Sequence, residues 1–406
     1  MFRIRIAYLA GTKETDMRFD KTEELAPWCA LNRIFGFAPK TGFALVRHYG
    51  SPGALFSADR KELGKILGEE SGYLASMDRD VIGRESEGLE KLSGEGVHVL
   101  CIEDERYPEL LKECEDPPAV LYVKSVSLPE EVFTSRPAVG VVGTRDITSY
   151  GKEWCTKIVS GMGSADRKPV IISGLAMGTD ITAHIAALDA GLPTIAVMAT
   201  GIDSVYPFRH GWYAERICGS PGSALVTDYP PGTVPRAINF LRRNRIIAGL
   251  SESVILIESR KKGGGMLTCS LAASYNRDVY ALPGRLDDPF SEGCNELIAR
   301  KAAEAVTGIN SLLDSIGLSP ASSSGRGSLK SRVYNIYKDR EGADLAAGLS
   351  SLADLIYHNR DITLERLCQL TGMDFRETAA MAGILESDGI IATDLLRRCS
   401  INPNFM

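Results

Sequence analysis

The sequence predicts an α/β protein built on a doubly wound, mainly parallel sheet, and two observations support this fold class. Between residues 139 and 303, short apolar runs recur, and each is followed by glycine and then by a helical stretch. The runs are rich in Val, Ile and Ala without alternation, as expected of strands buried on both faces. Repetition of strand, glycine turn and helix is typical of a doubly wound sheet. The predicted strands are 138–142, 170–173, 194–198, 224–227, 254–258 and 279–282.

The regions on either side of the predicted sheet differ from it in the spacing of apolar residues and in composition. Upstream, residues 24–115 carry apolar side chains at spacings of three and four, which predicts short amphipathic helices. Downstream, residues 316–332 contain a Ser/Gly-rich stretch that predicts a flexible linker. The expected domains are an N-terminal extension (1–23), a helical domain (24–115), the sheet domain (116–315), the linker (316–332) and a C-terminal domain (333–406).

The C-terminal domain has the pattern of a winged helix-turn-helix. Residues 361–370 and 374–385 predict two helices separated by a glycine turn, and residues 389–391 predict the start of a β wing. Residues 361–388 contain two Arg and six Asp or Glu, a net charge of -4. Because duplex binding depends on neutralising phosphates, we expect this module to bind a protein rather than DNA.

Composition excludes some classes of protein. Hydrophobic residues make up 44% of the 406 residues, which provides a core, and no apolar run reaches the roughly 18 residues of a membrane span. The nine cysteines are scattered without a C-x-x-C pair, which favours reduced thiols and a cytoplasmic location. The net charge of -6 does not by itself indicate nucleic-acid binding.

The first candidate anion site is the turn after the first predicted strand, with Gly143, Thr144 and Arg145. Ligands of doubly wound sheets lie beyond the carboxyl ends of the strands. A structural turn explains the glycine equally well, but a guanidinium group suits phosphate recognition and favours a site. The spacing Gly140-x-x-Gly143 differs from the dinucleotide fingerprint G-x-G-x-x-G, so NAD or FAD binding is not expected.

A second turn of the same kind follows the next strand, with Ser173, Gly174 and Gly178. Asp180 stands where a helix begins, and we interpret its carboxylate as a helix cap. His184 has no partner motif, so we interpret it as a packing residue.

A third candidate is a basic stretch in a chain that is otherwise acidic. Residues 236–262 contain seven Lys or Arg and two Glu, a net charge of +5. A solvated face is the alternative for such a run. The run, however, ends in three glycines after a buried strand, and cations beside a backbone nest are a phosphate-binding arrangement. Its candidate residues are Arg242, Arg243, Asn244, Arg245, Lys261, Lys262, Gly263, Gly264 and Gly265.

The sequence lacks the motifs of several enzyme classes. It has no G-x-x-x-x-G-K-[ST] loop, no G-x-S-x-G elbow and no H-E-x-x-H motif. We therefore expect no cofactor and no metal, and binding rather than turnover. The alternative is a nucleotide-cleaving enzyme resembling nucleoside-monophosphate phosphoribohydrolases, for which Asp180 or Glu258 would supply the carboxylate near the sugar.

Taken in order, these motifs resemble the DNA-processing protein A family, also called DprA or Smf. The resemblance covers residues 139–303 most closely. It rests on Val-Val-Gly-Thr-Arg ending at Arg145, the Ser-Gly-Leu-Ala-x-Gly-x-Asp-x-x-Ala-His run ending at His184, and the Arg-Asn-Arg run starting at Arg243. The chain departs from the family pattern at Thr179, at Leu241 and at the three glycines 263–265, which replace a Ser-Gly-Ser turn.

The resemblance implies a single-stranded-DNA-binding protein that protects strands and loads the RecA recombinase during natural transformation or recombination. It implies an extended Rossmann-like domain that binds the DNA backbone and forms a homodimer, a sterile-alpha-motif-like N-terminal domain and a C-terminal winged helix. Carried over by position, the DNA pocket would use Arg145, Ser173, Gly174, Arg243, Asn244, Arg245 and Gly264.

Overall fold

A computed structural model of the chain forms two compact units, Met1–Pro320 and Ala321–Met406. The Ser/Gly-rich part of the expected linker, 319–328, and residues 1–17 of the expected N-terminal extension lie outside the described residues. The structure describes residues 18–78, 80–134, 136–318, 329–359, 362–394, 398–402 and 405.

The first unit is built on a nine-stranded sheet. Seven strands pair in parallel, and the two that come first in the chain lie at one edge. The second of these two runs antiparallel to both of its neighbours, so the first points in the same direction as the other seven. All six predicted strands are present, with ends within two residues of the prediction. The strands are β1 Val97–Cys101, β2 Val120–Lys124, β3 Ala138–Val142, β4 Val170–Ser173, β5 Thr194–Val197, β6 Ala224–Thr227, β7 Ser253–Leu256, β8 Asp278–Ala281 and β9 Glu304–Ala305.

The strand order is β1-β2-β6-β5-β4-β3-β7-β8-β9. From β3 the chain builds outward to β6, and it then returns to the other side of β3 with β7, β8 and β9. The direction of winding therefore changes between β3 and β7, which pair in parallel with Gly140 opposite Val254. Ligands of doubly wound sheets bind beyond the strand ends at such a switch point. The predicted fold class is confirmed, and the unit is Rossmann-like.

Helices cover both faces of this sheet. Val254 and Leu256 of β7 belong to one core cluster, whereas Ile255 between them belongs to another, so the strand is buried on both faces. The helices of this part are α7 Glu109–Lys112, α8 Pro129–Val132, α9 Ser149–Met162, α10 Thr179–Asp189, α11 Gly211–Cys218, α12 Ala237–Leu250, α13 Gly264–Ser274, α14 Glu292–Ala299 and α15 Ile309–Ser315, with a 3₁₀ helix at Phe208–His210.

The N-terminal helices pack on the sheet and share its core. Leu31 and Phe35 lie in one cluster with Tyr122 and Leu225 of the sheet. The expected boundary of the helical domain at residue 115 is therefore corrected: β1 lies inside 24–115 but belongs to the sheet, and the helices have no core of their own. They are α1 Arg18–Phe35, α2 Pro39–Tyr49, α3 Pro52–Ser57, α4 Arg60–Leu67, α5 Gly72–Ser76 and α6 Val81–Gly94.

The second unit is a winged helix-turn-helix, as predicted. Gly372 ends α18 in the left-handed conformation, with φ of 71°, and the Asp374 side chain caps α19 by accepting a hydrogen bond from Glu377 N at 2.8 Å. The first described helix of this unit begins at Leu329, inside the expected linker. Its elements are α16 Leu329–Glu341, α17 Ala343–His358, β10 Ile362–Thr363, α18 Leu364–Thr371, α19 Phe375–Ser387, β11 Ile391–Thr393 and β12 Arg398–Ile401.

Three further properties concern redox state, membranes and metals. All nine cysteines are free thiols. No helix among the described residues combines the length and the apolar composition needed to cross a membrane. Within the same described ranges, no three His, Cys, Asp or Glu side chains are grouped so that they could hold a metal ion.

Candidate functional site

Three turns meet at the carboxyl ends of β3, β4 and β7. Thr144 N donates to the Glu258 carbonyl at 2.8 Å, and Thr179 N donates to the Thr144 carbonyl at 3.1 Å. Gly265 lies so close to Gly143 that an added Cβ would be 3.3 Å from Gly143 Cα. The structure therefore brings the glycine turns of the three predicted sites together at the switch point of the sheet.

The turn after β3 presents one cation to solvent. Gly143 and Thr144 are half-buried, and Thr144 Oγ1 accepts a hydrogen bond from Asp146 N at 3.1 Å. Arg145 is exposed, and its guanidinium carbon lies 4.7 Å from the centroid of the Phe240 ring. It forms no ion pair with any carboxylate in the described part of the chain. Arg145 therefore keeps the exposed, uncompensated charge that a phosphate ligand requires.

The turn after β4 forms the floor of the site rather than its surface. Ser173 is fully buried, and its hydroxyl donates to the Val141 carbonyl at 2.6 Å. Gly174 is buried and accepts a hydrogen bond through its carbonyl from Arg243 Nη1 at 2.5 Å. Gly178 is half-buried and packs on the backbone of the first turn. The expectation that Ser173 and Gly174 bind phosphate directly is therefore corrected, because both are buried and hydrogen-bonded within the fold.

Arg243 lies directly beneath the surface of the site. It is 3% exposed, and its Nη1 donates to the carbonyls of Gly174 and Val197. Burial lowers its pKa, the Asp180 carboxylate opposes this, and the nearby positive charge of Arg145 lowers the pKa further. An added Cβ at Gly174 would overlap the guanidinium, so glycine is required there. Arg243 therefore orients the second turn and contributes positive potential, and it is not the surface ligand that the sequence predicted.

Asn244 connects this arginine to the third turn. It is 9% exposed, its Oδ1 accepts a hydrogen bond from Arg243 Nε at 3.3 Å, and its Nδ2 donates to the Gly264 carbonyl at 3.4 Å. The side chain joins two of the turns. The structure thus gives Asn244 a positioning role.

Arg245 is a structural residue, which corrects its predicted role in phosphate binding. Its side chain is 5% exposed and forms an ion pair of 2.6 Å with Asp228, whose side chain is 8% exposed. It also donates to the Asp116 carbonyl. The charge of Arg245 is therefore compensated inside the protein.

Arg242 lies on another side of α12 and contacts the turn between α1 and α2. Its guanidinium carbon is 4.4 Å from the centroid of the Phe37 ring, and its Nη2 donates to the Gly36 carbonyl at 3.0 Å. The four consecutive residues 242–245, which the sequence treats as one basic group, therefore point to different parts of the fold. The reason is the helix, which rotates successive side chains by about 100°.

The turn after β7 carries a group of exposed cations. Lys261 and Lys262 are exposed, and so is Gly264. Gly263 is the N-cap of α13 and provides no side-chain cap, and within the described residues the N–H groups of Gly264 and Gly265 donate to no protein acceptor. Gly265 is buried, so of these two amides that of Gly264 lies at an exposed residue. The first amides of an 11-residue helix thus face the switch point beside two lysines. This is the arrangement that helix N-termini use to bind anions.

The acidic and histidine side chains near these turns serve the fold. Glu258 is 1% exposed, and both carboxylate oxygens accept hydrogen bonds from Thr148, one from its N–H at 2.9 Å and one from its hydroxyl at 2.5 Å. Glu258 therefore fixes the start of α9. His184 is fully buried with Nδ1 2.7 Å from Thr194 Oγ1, which confirms a packing role.

Asp180 lies in the first turn of α10, where the helix begins one residue earlier than expected. Its carboxylate accepts a hydrogen bond from Ala176 N at 3.3 Å, outside the helix, so it fixes the preceding turn rather than capping the helix itself. Burial raises its pKa, and Arg243 opposes this rise. The interpretation as a helix cap is corrected accordingly.

The predicted set of site residues omits Arg260 and the aromatic rings on which the exposed arginines lie. Arg260 is exposed, with its guanidinium carbon 4.5 Å from the centroid of the Phe290 ring, just as Arg145 lies over Phe240. Tyr206 is 48% exposed and its ring lies 5.6 Å from that of Phe240. One signal in the sequence could have found Phe240: it is an aromatic residue that lies two positions before the Arg242–Arg243 pair.

These features define a Rossmann-like α/β protein with exposed cations and free helix amides at the carboxyl edge of its sheet. Residues 98–317 match the family described as DNA recombination-mediator protein A. The chain belongs to this family.

Individual relatives agree with this assignment. The protein Smf of Synechocystis is 35% identical over 302 residues, 73% of this chain and 74% of the relative. The DNA processing protein DprA of Bacillus subtilis is 36% identical over 208 residues, 51% of this chain and 68% of the relative. The X-ray structure of DNA processing protein A from Streptococcus pneumoniae is 33% identical, with a TM-score of 0.51, and the match covers 63% of this chain and 90% of that one.

Proposed function

We propose that this protein binds single-stranded DNA along the carboxyl edge of its sheet and acts as a recombination mediator. The observation that carries the proposal is the exposed group of Arg145, Arg260, Lys261 and Lys262 around the free amides of α13. Cations and backbone N–H groups bind phosphates without reading sequence. Membership of a family of DNA recombination mediators supports a polynucleotide rather than a free nucleotide as ligand.

The rings beneath the arginines support an unpaired strand over a duplex. Proteins that bind single strands combine a cationic groove with aromatic side chains on which bases stack. Phe240 and Tyr206 lie beside Arg145 in this way. In a duplex the base faces are covered by their neighbours and are not available for stacking on protein rings.

The biological role, the location and the oligomeric state in this proposal rest on the family to which the chain belongs. We infer that the protein protects single strands and loads RecA in transformation or recombination, acts in the cytoplasm, and forms a homodimer through its first unit. We further infer that it binds rather than cleaves. Glu258 supports this inference, because both of its oxygens are engaged at the start of α9.

The test is a salt titration of oligo-dT binding, measured by fluorescence anisotropy, with a duplex of the same length for comparison. If about three to five phosphates are neutralised, the logarithm of the affinity should fall by roughly 2 to 3.5 per tenfold increase in salt. Arg145→Ala should weaken binding of every sequence and reduce that slope by about 0.7.

Lys157→Ala is the matched control, because Lys157 is an exposed cation already paired with Glu153 at 2.6 Å. It should bind like the wild type. If Arg145→Ala and the wild type bind oligo-dT with equal affinity, the proposed DNA-binding site is wrong. Release of free base from AMP by the purified protein would instead favour the alternative function, a nucleotide-cleaving enzyme.

Loading of RecA needs its own measurement. The protein should accelerate RecA-dependent strand exchange on DNA already covered by single-strand-binding protein, and Arg145→Ala should not. Size-exclusion chromatography with light scattering tests the dimer in the same preparation.

A further inference from the structure

The pairing of an arginine with an exposed or half-buried aromatic ring recurs outside the site described above, here with the half-buried Arg242. Phe37 lies in the turn between α1 and α2 and is 50% exposed. The guanidinium carbon of Arg242 lies 4.4 Å from its ring centroid, and the same side chain donates to the Gly36 carbonyl at 3.0 Å. The Tyr229 ring lies 6.3 Å from that of Phe37. The pair therefore has the same composition as Arg145 on Phe240.

Both pairs flank the same helix. Phe240 and Arg242 are two residues apart on α12, so they project about 200° apart around its axis. Between them, Ile238 and Leu241 form an apolar ridge, 50% and 46% exposed. An α-helix with side chains is about 10 to 12 Å wide, a distance that a few nucleotides of an extended strand can span. The ridge thus connects the Arg145 pair to the Phe37 pair.

The charges around this surface favour a polyanion. The 14 residues of α12 include no Asp or Glu, and Arg236 at its N-cap is exposed. Arg242 forms no ion pair within the ranges that the structure describes, and its Nη2 donates to a neutral carbonyl. Burial lowers its pKa, and the nearby carboxylates of Asp228 and Asp116 oppose this, but Asp228 is already paired with Arg245. A half-exposed aromatic ring beside a cation that has no ion pair is the combination that holds a base and its phosphate.

We propose that Phe37 and Arg242 form a second nucleotide subsite, in which a base stacks on the Phe37 ring and its phosphate pairs with Arg242. This inference rests on the proposed binding of single-stranded DNA. The strand leaves the Arg145 site, crosses the exposed face of α12 and reaches the turn between α1 and α2. The N-terminal helices thereby extend the length of strand that the sheet edge holds.

The test compares two lengths of oligo-dT, about 4 and about 20 nucleotides, on the full-length protein. Phe37→Ala should weaken binding of the longer strand about 5- to 150-fold, the range expected for loss of one stacked base, and leave the shorter strand unchanged. A long strand with abasic sites has no base to stack on the Phe37 ring. The wild type should bind this strand as weakly as Phe37→Ala binds normal DNA.

Phe37→Trp gives a direct readout, since its indole fluorescence should be quenched when the long strand binds. Phe375→Ala is the matched control, because Phe375 lies in the second unit and is 44% exposed. Thermal melting of each variant shows whether it folds. If Phe37→Ala does not fold, the fluorescence of Phe37→Trp still tests the subsite.

The outcomes separate this inference from the proposed function. Failure of the wild type to bind either oligonucleotide would overturn both. Normal binding by the wild type with unchanged affinity of Phe37→Ala and no quenching in Phe37→Trp would overturn the subsite alone. Loss of RecA loading without loss of DNA affinity in Phe37→Ala would assign the surface to a protein partner and also overturn the subsite.

Discussion

Replacing Arg245 by methionine should destabilise the first unit, whereas the same replacement of Arg145 should not. The Arg245–Asp228 pair is 2.6 Å long, with side chains 5% and 8% exposed. Methionine fills much of the space but leaves the Asp228 carboxylate buried and uncompensated. Removing one partner of such a pair costs about 3–5 kcal/mol. Arg145 loses only an exposed contact with the Phe240 ring, worth about 0.5–1 kcal/mol.

The destabilisation should also depend on pH. Burial raises the pKa of Asp228, and the Arg245 guanidinium opposes this rise. In Arg245→Met the pKa of Asp228 therefore rises further above its unfolded value of about 3.9. A group whose pKa is raised on folding stabilises the folded state while protonated and loses that contribution as the pH rises. The difference from wild type should thus be smallest near pH 4 and grow toward pH 7, by up to about 1.4 kcal/mol per pH unit.

Urea denaturation followed by circular dichroism at several pH values measures both effects, with oligo-dT affinity determined on the same samples below the transition. Arg245→Met should be unstable yet bind DNA when folded, and Arg145→Met should be stable yet bind poorly. If Arg245→Met keeps wild-type stability but loses DNA binding, Arg245 is a ligand and its structural role is wrong.

Two further predictions concern stability. Gly88 lies inside α6, and apart from the backbone of its own helix and its two chain neighbours no described atom would lie within 4 Å of an added Cβ. Gly88→Ala should therefore raise the free energy of unfolding by about 0.5–1 kcal/mol. Gly83→Ala, whose Cβ would lie 2.8 Å from Asp80 Oδ1, is the control and should gain less. Burial lowers the pKa of His184 to about 3, so stability should fall as the pH drops below about 6.5. His184→Gln should flatten the decline in urea melts between pH 6.5 and 5, and an unchanged slope would assign it to other groups.

Local sequence pattern was sufficient to predict most of the parallel strands and the edge of the sheet where the candidate site lies. The buried runs of Val and Ile located β3 to β8, since a strand covered on both faces has no polar position. Three strands, β1, β2 and β9, were missed, and β1 was assigned to the helical domain. Its pairing with residues 120–124 is a long-range contact that no local periodicity records.

The sequence by itself determined the doubly wound order of strand, turn and helix, and with it the meeting of three glycine turns at one sheet edge. Tertiary structure alone decided which cations there reach solvent. Arg145 is exposed, whereas Arg243 lies beneath the surface and Arg245 pairs with Asp228 in the interior. The physical reason is that the charge of an arginine is a property of its residue type, but its desolvation depends on the groups that the fold packs around it.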